Sequence, residues 1–237
     1  MTAKIIEETS LRGKQKIYRD RIHAAKILAD MVEDFVDKYT CLAAIPNGGV
    51  PIGLTIAEML NVDLGLMIVA RLLIPWEKMK GFGALTSDGV MEINWENVKR
   101  FNITQEIINE QLRSARNKIA EMLRRFGSRV ADISHYKTII LIDDGIASGY
   151  TMLASIKSLR RRWHGRIIVA APTGFESGIN LLSNAADVIL CPNIKPTIHI
   201  RDAYINLPKL SYSQTEKILE EFKRSCKARF IHFLVGN

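Results

Sequence analysis

The stretch KTIILIDDGIASGYTMLASI, residues 137–156, constrains this chain more than any other. Its apolar run at 138–142 is too short for a helix and shows no polar alternation, so it reads as a strand buried on both faces. Strands of that kind occur in parallel sheets covered by helices on each side. The run ends on two adjacent acids, Asp143 and Asp144, and then a turn of small and hydroxylated residues. A helix follows, with apolar positions at Met152, Ile156 and Leu159. Two carboxylates side by side repel at neutral pH, so stability alone would not select the pair. A partner bearing hydroxyls, a cation or both is expected there.

The rest of the chain repeats the alternation. Further strand-like runs lie at 41–46, 64–70, 166–171 and 187–191, with helical stretches at 17–38, 50–60, 150–163 and 175–184. This order predicts an α/β fold with a parallel sheet flanked by helices. The clearest helix spans 102–127: Ile108, Leu112, Ala115, Ile119, Met122 and Phe126 alternate steps of four and three. Asn102 with Gln105 offers its start and Gly127 its stop. Ser213 with Glu216 offers a capping box for a last helix, and the apolar tail FIHFLVGN must pack on the domain or on a second subunit. Residues 71–94 break the pattern, and read as a mobile segment or a hairpin around Ser87-Asp88-Gly89. No repeat, low-complexity segment or linker divides the 237 residues, so one domain is expected.

Composition narrows the class. An apolar content of 47% is that of an ordinary globular protein. The three cysteines, Cys41, Cys191 and Cys226, are isolated, which excludes a zinc ribbon or a disulfide framework and points to a reducing cytoplasm. The longest apolar run, 64–70, is far short of a membrane span, and the first ten residues lack the apolar core of a signal peptide. A net charge of +8 attracts nucleic acid, acidic membranes or phosphorylated small molecules. The chain carries no helix-turn-helix, zinc finger or RNA-binding aromatic motif.

In open parallel sheets ligands bind at the carboxyl ends of the strands, where Asp143 and Asp144 fall. Backbone amides at the start of the following helix form a cradle for phosphate. Gly149 permits close approach, and Ser148 and Thr151 add hydroxyls. Carboxylates for vicinal hydroxyls beside amides for a phosphate match a ribose 5-phosphate.

The segment TIILIDDGIASGYTM resembles the phosphoribosyl pyrophosphate (PRPP) signature of type I phosphoribosyltransferases. IPNGGVPIG resembles that family's pyrophosphate loop, and VARLLIP the segment leading to its flexible loop. From about residue 17 to 207 the layout resembles a branch known only as predicted phosphoribosyltransferases. The resemblance implies a core over about 40–192 and a small hood from about 1–39 and 193–237. It implies that Asp143 and Asp144 hold the ribose hydroxyls, and that Ala147, Ser148, Gly149, Tyr150 and Thr151 bind the 5-phosphate. Asn47, Gly48 and Gly49 would bind pyrophosphate through a loop that in the family often carries a strained or cis peptide. Asn47 stands where many relatives have Arg or Lys, and Arg71, Lys78 or Lys80 could replace that charge. Alanine at 147, where 6-oxopurine enzymes carry an aspartate base, disfavours such a substrate. His199 and Tyr204 are the obvious stacking groups of the hood.

The expected activity is Mg2+-dependent transfer of phosphoribose from PRPP to a nitrogen nucleophile, with the metal bound mainly through the substrate. The expected partners are PRPP and a small-molecule acceptor, with a homodimer as the assembly. Residues 75–89 would close over the site. The alternative is a PRPP-sensing regulator or nucleic-acid-binding protein of the same fold, kept open by Asn47 and the basic face of the 102–127 helix.

Overall fold

The structure, a computed structural model, describes residues 2–127, 131–196, 199–225 and 229–233. Along the chain come β1 (Lys4–Ile6), α1 (Arg21–Glu33), β2 (Thr40–Ala44), α2 (Gly49–Leu60) and β3 (Asp63–Leu66). Three strands follow, β4 (Val69–Ile74), β5 (Glu77–Thr86) and β6 (Met91–Ile93), then α3 (Trp95–Arg100) and α4 (Gln105–Phe126). The second half holds β7 (Thr138–Ile142), α5 (Tyr150–Arg160), β8 (Arg166–Ala170), β9 (Thr173–Phe175) and α6 (Glu176–Leu182). Then come β10 (Val188–Leu190), β11 (Asn193–Lys195), a 3-10 turn (Ile200–Ala203), α7 (Tyr212–Ser225) and β12 (Phe230–Phe233).

Seven strands form the central sheet in the order β1-β10-β8-β7-β2-β3-β12. Every neighbouring pair is parallel. The expected α/β class with helices on both faces is therefore present. β7 lies in the middle, and its residues alternate between two cores. Ile140 and Ile142 pack with α1, α2, α4 and α7, while Ile139 and Leu141 pack with α5 and α6. All five β7 residues are buried, and each of the four aliphatic side chains, 139–142, contributes about 1.5–3 kcal/mol. Ala44 of β2 lies level with Ile142 of β7, so the two chains leave the sheet side by side. That register places residues 45–49 against the acid pair.

The sequence expectations shift in four places. The run 64–70 is two strands, because β3 belongs to the central sheet and β4 turns into an antiparallel sheet, β4-β5-β6. Residues 71–94 are thus mostly ordered strand, with the turn at 87–89 as expected, and Phe82–Ser87 are buried. The cap of α4 is Thr104, whose Oγ1 accepts the Ile107 amide at 3.5 Å; Asn102 has a left-handed φ of 49°. For α7 the capping pair is Ser211 and Gln214, two residues earlier than expected.

The two chain ends divide between sheet and cover. β1 and β12 extend opposite edges of the central sheet. Residues 17–24 and 200–207 meet over its carboxyl end in a small apolar cluster of Tyr18, Ala24, Ala203 and Tyr204. The Tyr18 amide donates to Ala203 O (3.0 Å) and the Ile205 amide to Tyr18 O (2.7 Å). The apolar tail reaches β12, and its residues 234–237 lie outside the described ones. Cys41 and Cys191 are buried, as expected, and burial pushes both thiols up; Cys226 lies outside the described residues.

Candidate functional site

Asp143 and Asp144 follow the buried end of β7 directly. The Asp144 amide donates to Asp143 Oδ1 at 2.8 Å. Burial, and next the Asp144 charge, hold the Asp143 carboxyl well above the usual range; the Asp144 amide, Arg71 and Arg21 oppose that shift. The Asp144 carboxylate is paired. Its Oδ2 accepts from Arg21 Nε (2.9 Å) and Nη2 (2.7 Å), and Arg21 Nη1 donates to Pro208 O (2.8 Å).

The loop from β2 to α2 lies against this pair. The Ile45 amide donates to Ile142 O (2.9 Å), extending the β2–β7 ladder by one residue. The Pro46–Asn47 peptide is cis. A Cβ on Gly48 would collide with the Asp144 carboxylate, and one on Gly49 with Ile142 O. Only glycine lets the loop approach so closely. The Asn47 side chain faces the other way: its Nδ2 donates to Leu210 O (3.2 Å) and its Oδ1 accepts from Thr215 Oγ1 (3.0 Å). What this loop presents to a ligand is its backbone.

The turn after the acids is pinned on its far side. The Ile146 amide donates to Thr173 O (2.9 Å) and the Phe175 amide to Ile146 O (2.8 Å). Gly149 has φ 80°, and a Cβ there would sit 2.9 Å from Gly178 O on α6. The first helical bond of α5 runs from the Leu153 amide to Gly149 O. The amides of Ala147, Ser148, Gly149, Tyr150 and Thr151 therefore have no acceptor among the described residues. Donors converging at a helix start make an anion cradle, strengthened by the helix dipole.

Other expected residues fall differently. Arg71, on β4, donates to Met79 O (3.1 Å), and its charge reaches Asp143. The Lys78 side chain lies outside the described ones; Lys80 pairs loosely with Glu77 at 3.6 Å. Of residues 75–89, the tip around Trp76 and Met79 is exposed, and Phe82 onward packs into the fold. Tyr204 is buried against Tyr18 and donates to Asp144 O at 2.7 Å, so it braces the acid pair instead of offering a ring face. His199 is exposed and caps the 3-10 turn through Asp202.

Two features escaped the sequence reading. Arg21 is one of many basic residues in a basic chain, and nothing in its neighbourhood marks it as the partner of Asp144. Lys195 and Asn193 on β11 are buried, and Lys195 Nζ and Asn193 Oδ1 have no partner among the described residues. Among the described residues no group of three or more His, Cys, Asp or Glu could hold a metal ion. A hard divalent cation would find at most the two carboxylates of Asp143 and Asp144 here, and would take its other oxygens from a bound phosphate ester or water. No helix of the described residues is long and apolar enough to cross a membrane.

No protein-family model matches the chain. Two proteins from Mycobacterium tuberculosis strains CDC 1551 and H37Rv, each named "Putative phosphoribosyl transferase", are 26% identical to it over 179 residues, 74% of the chain. The chain spans 40% of the length of those relatives. The crystal structure of TT1426 from Thermus thermophilus superposes with a TM-score of 0.65 at 20% identity, covering 86% of this chain and 98% of that one. The likeness to TT1426 is one of fold.

Proposed function

We propose that this chain transfers phosphoribose from PRPP to a nitrogen nucleophile and releases pyrophosphate. One observation carries the reading. The acid pair stands between an amide cradle at residues 147–151 and a glycine loop that touches the Asp144 carboxylate. Phosphate, ribose and pyrophosphate are joined in PRPP in that same order. The names of the Mycobacterium tuberculosis relatives point the same way.

In this reading the amides of 147–151 hold the 5-phosphate. Asp143 and Asp144 accept hydrogen bonds from the ribose hydroxyls and favour the positive charge that develops on the ring. The bond from the anomeric carbon to the pyrophosphate oxygen breaks, its electron pair leaving with pyrophosphate. The lone pair of the acceptor nitrogen forms the new C–N bond, and the proton of that nitrogen passes to solvent or to a basic group. Mg2+ bound to the pyrophosphate would neutralise charge on the leaving group. The cover made by residues 17–24 and 200–207 limits water, which would otherwise take the acceptor's place.

The test is a pyrophosphate-release assay with PRPP and Mg2+ on adenine, hypoxanthine, guanine, uracil and orotate, beside calorimetry of PRPP binding. Ala147 can neither accept a proton nor a hydrogen bond through its side chain. Carboxylate help worth about 10²–10⁴-fold is therefore missing, and hypoxanthine and guanine should turn over negligibly. Asp143→Asn with Asp144→Asn should fold and lose ~1.5–3 kcal/mol of ribose 5-phosphate affinity for each charged hydrogen bond removed. Unchanged ribose 5-phosphate affinity in the folded double variant, where no pyrophosphate draws on Arg21, would sink the assignment. A second reading, a PRPP-sensing regulator, draws on Asn47 being turned into α7 and Asp144 being held by Arg21. Measurable PRPP binding with no turnover of any nucleobase would favour it.

A further inference from the structure

We propose that Arg21 is the pyrophosphate-binding cation of this site, held on Asp144 in the free protein and released from it when PRPP binds. The inference rests on the phosphoribosyl reading above. It begins from a shortage of charge: Asn47 is neutral, and both ends of its amide are spent on Leu210 and Thr215. Two cations act on the acid pair, Arg71 and Arg21. Arg71 stands on a strand of the separate antiparallel sheet, spends a donor on Met79 O (3.1 Å) and makes no salt bridge among the described residues. Arg21 has a side chain only 11% exposed and makes contact with the pair directly.

Its position is specific. Asp144 Oδ2 takes both Arg21 Nε and Nη2, and the same carboxylate fills the space where a Gly48 side chain would be. Arg21 and the 46–49 loop thus flank one carboxylate. A guanidinium has five N–H donors in a planar fork suited to phosphate oxygens, and the three bonds described leave two of them over. The backbone around it is fixed, since the Asn206 amide donates to Arg19 O (2.9 Å) and Asp20 caps α1 through the His23 amide (2.8 Å). Only the side chain need move. A pyrophosphate on the loop offers more negative charge than Asp144 does. Exchange of the guanidinium from carboxylate to pyrophosphate frees Asp144 for the ribose hydroxyls, so one residue couples the two halves of PRPP.

The rival role is a clasp that merely holds the cover down through Asp144 and Pro208. Calorimetry with inorganic pyrophosphate, ribose 5-phosphate and PRPP, each with Mg2+, separates the two. In Arg21→Ala, pyrophosphate affinity should fall at least about tenfold. Ribose 5-phosphate affinity should hold or rise, because Asp144 has lost its competitor. Arg21→Lys keeps the charge without the fork, and should fall between wild type and Arg21→Ala for pyrophosphate alone. Pyrophosphate affinity within about twofold of wild type in Arg21→Ala, or an equal loss for both ligands, overturns the inference in favour of the clasp. Should Arg21→Ala fail to fold, Arg21→Lys decides by the same ratio of the two affinities. A wild-type protein that binds none of the three ligands removes the phosphoribosyl reading itself, and this inference with it.

Discussion

Lys195 is 1% exposed, and its Nζ meets no hydrogen-bond acceptor among the described residues. Burial pulls its pKa below the usual lysine range, while the nearby Asp202 opposes that shift. Between the folded and the unfolded pKa the folded state binds fewer protons here than the unfolded chain, so stability should rise with pH across that window and level off above it. Below the folded pKa the full penalty is present. Lys195→Met keeps the length, removes an unsatisfied buried amine, and should stabilise the protein by ~1–3 kcal/mol near pH 7. The variant should also lose the extra gain toward high pH. Urea unfolding of both proteins at pH 7 and in mildly alkaline buffer measures this. A less stable Lys195→Met would mean that Nζ has an acceptor after all.

The helix α4 shows what an element can and cannot announce. Its apolar seam is legible because buried Ile108, Ala115, Ile119, Met122 and Phe126 recur at helical spacing. Its start is less so, because Asn102 and Thr104 are both good caps and the sequence does not say which takes the extended conformation. Thr104 does, while Asn102 takes φ 49° in the turn after α3. Thr104→Ala should therefore lower stability by ~0.5–1 kcal/mol, at the small end of cap effects because the bond is long. Asn102→Gly, at a left-handed position, should be neutral or stabilising. Thermal unfolding of the pair tests the assignment, and equal losses in both would contradict it.

Across the whole molecule the excess of positive charge is partly spent in ion pairs. Arg160 pairs with Asp187, Arg162 with Asp88, and Arg125 with Glu121 and Glu216. Arg113, Arg116 and Arg124 are exposed on α4, and make no salt bridge with the described residues. Duplex DNA or RNA should bind this face weakly and without sequence preference, with affinity falling steeply as salt rises. Replacing the three arginines by alanine should reduce the DNA log–log salt slope by up to about 3. Fluorescence anisotropy over a salt series reads this directly. Tight, sequence-selective binding at physiological salt would reverse the preference for an enzyme.

Parallel architecture, the central strand and the turn at 147–151 were all legible in residues 137–156. An apolar run, two acids and a small-residue turn are local in the chain, and local sterics and solvation shape them. The antiparallel β4-β5-β6 sheet was not legible, because its strands satisfy one another across a turn and the apolar run 64–70 does not mark where it changes sheets. Short β9 and β11 pair with each other, and β9 also bridges Ile146. Arg21 stands 123 residues from Asp144, and Asn47 stands 168 from Thr215. Contacts at such separations depend on which strands lie side by side and where the two chain ends cross, and only packing specifies that. The acid pair could be found from the sequence; what holds one of its carboxylates came from the fold.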